Sequence, residues 1–222
     1  MSSQEPYFND ALRQLKSAGF SNPFGDCRRL LKYSTDRGSI FNSDASLVDK
    51  HIRKIFKFSI RRRLTNEPIS HIVGFRDFWK SKFLVNQNVL DPRPETELII
   101  EIISERFKNK EEKITFVDLG TGSGAISIAL ALANPNWNGI ATDIDKNAIE
   151  IASRNFSNHS NQSNLKFYNG NWWEPLENFK GEIDFAVANP PYIPQETYEV
   201  LPIEVKNFEP KLALLGGKEG LD

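Results

Sequence analysis

The second half of the chain alternates between short apolar runs and amphipathic segments, and this alternation constrains the fold more than any other feature. Beyond Lys113 the apolar runs predict four strands, at Ile114–Asp118, Gly139–Asp143, Leu165–Tyr168 and Ile183–Ala188. Helices are predicted after the first two of these strands, at Gly124–Ala133 and Lys146–Asn155. Strands that alternate with helices in this way are typical of a parallel sheet covered by helices. This half of the chain is therefore predicted to have an α/β fold.

The first sixty-odd residues have a different pattern, because their apolar residues recur at helical spacing. They predict a small helical bundle, in which Cys27 is interpreted as a core residue. From Pro68 the chain is richer in β-branched and aromatic residues, and a β-hairpin is predicted there. We therefore divide the chain into a helical domain (1–67), a hairpin connector (68–90) and an α/β domain (91–222).

Composition argues against several classes of protein. Twenty-eight basic residues against 29 acidic ones give a net charge of −1, which argues against a dedicated nucleic-acid binder. One cysteine, and three histidines without metal-ligand spacing, argue against a disulfide framework or a metal site. The polar N-terminus and the shortness of the apolar runs predict neither an export signal nor a membrane span. A cytoplasmic location is expected.

A glycine-rich loop follows the first predicted strand. Gly120, Gly122 and Gly124 have the spacing G-x-G-x-G, which differs from that of dinucleotide-binding and phosphate-binding loops. Glycines at the end of a parallel strand allow the backbone to turn sharply and to approach a ligand closely. Asp143 ends the second predicted strand, where a carboxylate is well placed to bind the hydroxyls of a ribose. Together these residues favour an adenosine-containing cofactor, although Asp143 is also suited to capping the next helix.

The sequence Asn189-Pro190-Pro191-Tyr192 directly follows the fourth predicted strand. One interpretation is a rigid turn, because asparagine and proline are common in turns. The other is a site for a planar amino group, whose nitrogen is a poor nucleophile while its lone pair is delocalised. The Asn189 side-chain oxygen and the Pro190 carbonyl are suited to accept its two N–H bonds and so orient the nitrogen for methyl transfer. Tyr192 is suited to stacking on the planar group.

These motifs resemble those of class I S-adenosylmethionine-dependent amino-methyltransferases. Over essentially its whole length the chain is similar to one family of that class, the HemK/PrmC glutamine methyltransferases of peptide release factors. Further stretches carry the similarity, namely Glu67–Gly74, Phe78–Trp79, Pro92–Glu97 and Glu209–Leu214. The resemblance implies a Rossmann-like parallel sheet and an N-terminal helical domain that helps to dock the release factor.

The resemblance also implies roles for the motif residues. The cofactor S-adenosyl-L-methionine is expected to contact Asp118, Gly120, Thr121, Gly122, Ser123, Gly124, Asp143, Asn171, Trp172 and Asn189. The substrate is expected to contact Asn189, Pro190, Pro191 and Tyr192, among which Asn189, Pro190 and Tyr192 are the expected catalytic residues. The family usually has an acidic residue where this chain has Asn171. The implied reaction methylates the side-chain amide nitrogen, N5, of the glutamine in the Gly-Gly-Gln motif of class 1 release factors, with no metal, membrane or direct nucleic-acid partner.

Three other functions remain open at this point. An adenine-N6 methyltransferase of DNA or RNA would use the same chemistry, although the near-neutral charge disfavours it. A release-factor-binding module without activity would keep the helical domain, and a nicotinamide dehydrogenase is disfavoured by the glycine spacing. The resemblance implies a sheet of seven strands, of which four are found. We therefore expect a fragment or a shortened relative, with the fourth strand at an exposed edge.

Overall fold

The computed structural model describes residues 6–38, 45–109, 111–160 and 163–221. The chain forms two compact units, Met1–Val73 and Gly74–Asp222. The division at 1–67, 68–90 and 91–222 is finer than this and stays a prediction. Within the described ranges, no helix is long and apolar enough to cross a membrane, and no group of three or more His, Cys, Asp or Glu side chains is placed to hold a metal ion.

The N-terminal unit is helical, as predicted. Its helices are α1 (Pro6–Ser17), α2 (Pro23–Gly38), α3 (Ala45–Leu64) and α4 (Ile69–Val73). Their apolar faces meet in one core, which includes Phe8, Leu15, Cys27, Leu30, Ile52, Phe56 and Ile60. The interpretation of Cys27 as a core residue is confirmed. Burial, with a smaller effect from the neighbouring Asp26 carboxylate, raises the pKa of its thiol to about 11, so the thiol is neutral at physiological pH.

Helix α4 corrects one prediction. The sequence indicates a β-rich connector from Pro68, but the first five residues after Pro68 form a helix. Proline is favoured at the start of a helix because its fixed φ suits helical geometry. The Pro68 carbonyl accepts a hydrogen bond from the Ile72 amide at 3.0 Å. Gly74 follows the helix with a φ of 86°, a conformation that glycine adopts without strain.

The predicted hairpin is confirmed. Strands β1 (Phe75–Phe78) and β2 (Ser81–Leu84) pair antiparallel. One buried side chain, Asn155, connects this hairpin to the glycine-rich loop. Its amide oxygen accepts from the Leu84 amide at 2.7 Å, and its amide nitrogen donates to the Leu84 carbonyl at 3.1 Å and to the Ser123 carbonyl at 2.8 Å. The contact of Asn155 with Leu84 joins residues 71 positions apart and was not predicted from the sequence.

The C-terminal unit contains the predicted parallel sheet. Its strands are β3 (Thr115–Leu119), β4 (Asn138–Asp143), β5 (Leu165–Asn169) and β6 (Phe185–Ala188). Each strand overlaps a predicted one, and the spatial order is β5-β4-β3-β6, with every neighbouring pair parallel. The α/β fold class is therefore confirmed. Among the described residues the sheet has four strands, and β6 lies at one edge as predicted.

Helices lie before, between and after these strands. They are α5 (Glu97–Arg106), α6 (Ala125–Ala133), α7 (Lys146–His159), α8 (Gln195–Glu199) and α9 (Ile203–Phe208), with short 3-10 turns at Pro94–Thr96, Glu174–Phe179 and Lys211–Ala213. Helix α6 is composed almost entirely of alanine, isoleucine and leucine and is buried along most of its length. Trp137, Phe116, Phe107 and Phe185 form an aromatic cluster beside it. This core fixes the strands whose ends carry the candidate site.

Candidate active site

The register of the sheet places the three predicted motifs side by side. Leu119, the last residue of β3, pairs with Thr142 of β4 and with Ala188 of β6. The residues that follow are Gly120, Asp143 and Asn189, so these three positions lie at one edge of the sheet. Carboxyl ends of parallel strands are the usual ligand-binding edge of such folds.

A cavity of about 240 Å³ opens at this edge. Nine of the predicted site residues line it: Gly120, Thr121, Gly122, Ser123, Asp143, Asn171, Trp172, Asn189 and Pro191. Four others, namely Asp118, Gly124, Pro190 and Tyr192, do not belong to the described wall. The roles assigned to all of them stay predictions, but the cavity brings both halves of the predicted site together.

The glycine-rich loop leaves space for a ligand. Gly120, Gly122 and Gly124 have φ values of 72°, 56° and 81°, which favour glycine strongly over other residues. A Cβ atom at Gly120 or Gly122 would meet no atom within 4 Å, whereas at Gly124 it would collide with Ile128 and press on Ala152. The first two glycines therefore expose backbone to the cavity, and the third allows α6 to pack closely.

Asp118 holds the glycine-rich loop through hydrogen bonds. Its Oδ2 atom accepts a hydrogen bond from the Thr121 hydroxyl at 2.6 Å and one from the Ser127 amide at 3.2 Å. The side chain is buried, and this burial raises its pKa to about 6, although the hydrogen bonds with Thr121 and Ser127 oppose the shift. The contacts show that Asp118 fixes the loop, whatever further contact it makes with a ligand.

Asp143 connects the loop to the next strand end. Its Oδ2 accepts from the Gly122 amide at 2.8 Å and its Oδ1 from the Asp145 amide at 2.9 Å. Burial raises the pKa of this carboxyl group, and the two backbone hydrogen bonds oppose the shift. The cap of α7 is Asp145, which accepts from the Asn147 amide. Each oxygen of Asp143 keeps a further lone pair for a ligand hydroxyl.

Trp172 has an unusual backbone conformation at the cavity wall. Its φ of 46° is uncommon for a residue with a large side chain. The Trp172 carbonyl accepts from the Thr142 hydroxyl at 3.2 Å, which fixes this conformation beside the end of β4. Strained residues of this kind are often found at ligand sites. Trp172 therefore lines the cavity in a backbone conformation that the Thr142 hydrogen bond supports.

The Asn189–Tyr192 turn is fixed through the residue that follows it. The Ile193 amide donates to the Leu214 carbonyl at 2.9 Å, and the Gly216 amide donates to the Ile193 carbonyl at 3.0 Å. Among the described residues, none forms a hydrogen bond with the half-buried side chain of Asn189, which leaves its amide available to a ligand. Tyr192 is 65% exposed, so it flanks the cavity and is not one of its walls.

Proteins similar to this chain are methyltransferases. The family model "Methyltransferase small domain" matches residues 88–203. A release factor glutamine methyltransferase of Caulobacter vibrioides is 35% identical over 94% of this chain and 72% of its own length. One from Bacillus cereus is 38% identical over 83% of this chain and 65% of its own. A bifunctional methyltransferase of Rickettsia conorii is 34% identical over 96% of this chain, which spans 45% of that longer protein.

Proposed function

The chain belongs to the release factor glutamine methyltransferase family, and from that premise we propose that it methylates a peptide chain release factor. The methyl donor is S-adenosyl-L-methionine, and the acceptor is the side-chain amide nitrogen of the glutamine in the Gly-Gly-Gln motif. One observation carries the proposal: Asn189 lines the same cavity as the glycine-rich loop and Asp143. An amide-binding group and a nucleoside-binding group therefore share one space.

The residues present fit S-adenosyl-L-methionine. Open space at Gly120 and Gly122 suits its amino-acid part, the free lone pairs of Asp143 suit its ribose, and the Trp172 ring suits its adenine. When bound, it supplies an electrophilic methyl group that the amide nitrogen accepts as the carbon–sulfur bond breaks. Methyltransferase membership is consistent with this donor.

The Asn189–Tyr192 turn, termed the asparagine turn, is suited to orienting the weakly nucleophilic acceptor nitrogen. A carboxamide nitrogen is a weak nucleophile because its lone pair is delocalised into the carbonyl. If the Asn189 Oδ1 atom and the Pro190 carbonyl accept its two N–H bonds, the nitrogen is held in one orientation and its lone pair is directed at the methyl carbon. Fixed geometry of this kind contributes up to about 7–11 kcal/mol in ideal cases. The methylated nitrogen becomes acidic and releases one proton, so no strong base is required.

A labelling experiment tests the proposed function. The protein is incubated with S-adenosyl-L-methionine carrying a radioactive methyl group, together with a purified class 1 release factor. We expect one methyl group per release factor, and no label when the Gly-Gly-Gln glutamine is replaced by alanine. Label in total RNA or DNA, with none in the release factor, would contradict the proposal. Absence of label in both, with no cofactor binding by calorimetry, would favour a binding module.

The helical unit has a charge suited to docking an acidic partner. Residues 1–73 contain thirteen lysines and arginines but seven aspartates and glutamates, a formal charge of +6. The rest of the chain carries −7, so the near-neutral total concealed a strong separation of charge. Part of the positive charge of the helical unit lies on four exposed residues of one face of α3, namely Lys50, Lys54, Lys57 and Arg61. We propose that this face, termed the basic face, binds an acidic surface of the release factor.

Charge reversal on the basic face is expected to weaken docking without affecting the chemistry. The variant Lys57→Glu/Arg61→Glu should raise KM for the whole release factor about tenfold at low salt, because complementary charges steer association. Turnover of a short Gly-Gly-Gln peptide should be unchanged. The matched control is Lys108→Glu/Lys113→Glu, which makes the same charge change in the other unit. An equal KM increase in both variants would exclude a specific docking face.

A further inference from the structure

Two proline-containing segments that are distant in sequence form one wall of the cavity. The first contributes Pro92, Arg93 and Thr96, which lie just before α5. The second contributes Pro210, Leu212 and Ala213, which lie after α9. Both segments carry the family similarity in the sequence. They belong to neither the glycine-rich loop nor the asparagine turn, so the roles proposed for those motifs do not account for them.

An ion pair joins the two segments. The Arg93 Nη2 atom lies 2.8 Å from Oε1 and 2.6 Å from Oε2 of Glu209. The Glu209 side chain is 3% exposed and that of Arg93 is 35% exposed. A buried carboxylate is costly unless it is paired, so a position such as Glu209 favours a fixed cationic partner. This pair is therefore unlike the solvent-exposed ion pairs of the helices, such as Arg13–Asp10.

The segment that begins at Glu209 is also fixed to the asparagine turn. We call residues 209–220 the strap. Its Leu214 and Gly216 form the backbone hydrogen bonds with Ile193 described above. A Cβ atom at Gly216 would lie 2.6 Å from the Pro191 carbonyl oxygen, which is too close for any other residue without a shift of the backbone. The strap and the turn thus pack backbone against backbone, and a displacement of one displaces the other.

We infer that Arg93 and Glu209 are positioning residues for the transfer reaction. Their ion pair holds the strap at one end, and the strap holds the turn that presents the Asn189 oxygen and the Pro190 carbonyl. Neither side chain is required to contact the reacting atoms. This inference rests on the proposed function and adds to it a connection from the start of α5 to the amide-binding turn.

Arg93 contacts Glu209 through one guanidinium nitrogen, Nη2, which lies within hydrogen-bond distance of both carboxylate oxygens. Arginine presents several N–H groups in a rigid plane and directs them at a carboxylate, whereas lysine offers a compact charge on a flexible stem. The Arg93 side chain is partly exposed, so it loses less hydration than the buried carboxylate of Glu209. An Arg93→Lys variant should therefore retain the charge but lose part of the positional control.

Paired substitutions test the inference by kinetics. Arg93→Gln and Glu209→Gln are each expected to lower kcat about 10- to 100-fold, while the Kd for S-adenosyl-L-methionine stays within about twofold. The double variant should be no slower than the slower single variant, because the two residues act as one unit. Glu199→Gln is the control, since it removes the exposed Lys206–Glu199 pair of the same region. A multiplicative loss in the double variant, or normal kcat in Arg93→Gln, would overturn the inference.

Hydrogen exchange tests the same inference without any activity. In Arg93→Gln, the amides of Ile193 and Gly216 should exchange at least about tenfold faster, whereas amides within β3 and β4 should be unchanged. Unchanged exchange at Ile193 and Gly216 would overturn the ion pair as the element that fixes the turn. If the unmodified protein labels no release factor, the proposed function fails while this measurement still reports on the strap. A uniform increase in exchange across the sheet would indicate general destabilisation and would also overturn the inference.

Discussion

Replacement of Asn189 with alanine is expected to lower kcat for release factor methylation by about 100- to 1,000-fold, a range typical of losing one oriented group at a reacting centre. The Asn189 amide has no hydrogen-bond partner among the described residues and faces the cavity that the glycine-rich loop also lines. Without the Asn189 oxygen, the substrate amide would lose one of its two proposed acceptors and would be held less firmly. The Kd for S-adenosyl-L-methionine should change by less than about threefold.

Measurements on the Asn189 variants separate a loss of substrate orientation from a loss of folding. Single-turnover rates and calorimetric cofactor binding would be measured on the same preparation, with thermal unfolding as a check. Asn189→Asp keeps an acceptor oxygen at the same place and should therefore retain more activity than the alanine variant. Near-normal turnover in Asn189→Ala would show that the orienting role is wrong. A loss of cofactor affinity equal to the loss of kcat would instead assign Asn189 to cofactor binding.

Features that depend on local pattern were predictable from the sequence. The four strands follow from apolar runs such as Ile114–Asp118, and the parallel order follows from the helices between them. The meeting of Gly120, Asp143 and Asn189 was predictable for a topological reason: each follows or ends a strand, and parallel strands end at one edge. The site was therefore encoded in short segments, which the sheet brings together.

Features that depend on distant contacts were not predictable. Nothing in the sequence pairs Arg93 with Glu209, which are 116 positions apart, or Asn155 with Leu84. Helix α4 has five residues, too few for helical spacing to stand out from the β-branched residues in it. The charge of the helical unit was countable but was hidden in the total of −1. Counting charge for each predicted domain would have revealed it.

Replacement of Asp143 with alanine is expected to raise the Kd for S-adenosyl-L-methionine about 10- to 100-fold, the range for losing hydrogen bonds to a charged group. The carboxylate has lone pairs free for ribose hydroxyls and also holds the Gly122 amide, so its removal affects both contact and loop. The control is Asp184→Ala, whose carboxylate accepts from the Thr115 amide at 2.7 Å at the opposite end of β3. That variant should lose stability but keep cofactor affinity.

The pH dependence of binding tests the role of the Asp143 carboxylate, and hydrogen exchange at Gly122 then separates its two effects. Burial raises the pKa of this carboxyl group, so it takes up a proton at a higher pH than an exposed aspartate does. The ionised group accepts hydrogen bonds from hydroxyls, whereas the protonated group loses acceptor capacity. Cofactor affinity of the unmodified protein should therefore fall as pH decreases through this raised pKa. Asp118 is present in both proteins, and the Asp143 charge is the smallest of the effects on its pKa, so a comparison with Asp143→Asn removes most of its contribution.

The difference in affinity between the unmodified protein and Asp143→Asn should thus be largest at neutral pH and should narrow on acidification. A hydrogen bond to the ribose requires this direction, because the advantage of aspartate over asparagine lies in the ionised carboxylate. If Asp143 acted only through the Gly122 amide, the loop would be disturbed in the variant and the cofactor-free proteins would differ in hydrogen exchange at Gly122. Equal affinities at neutral pH, with unchanged exchange at Gly122, would contradict the ribose contact.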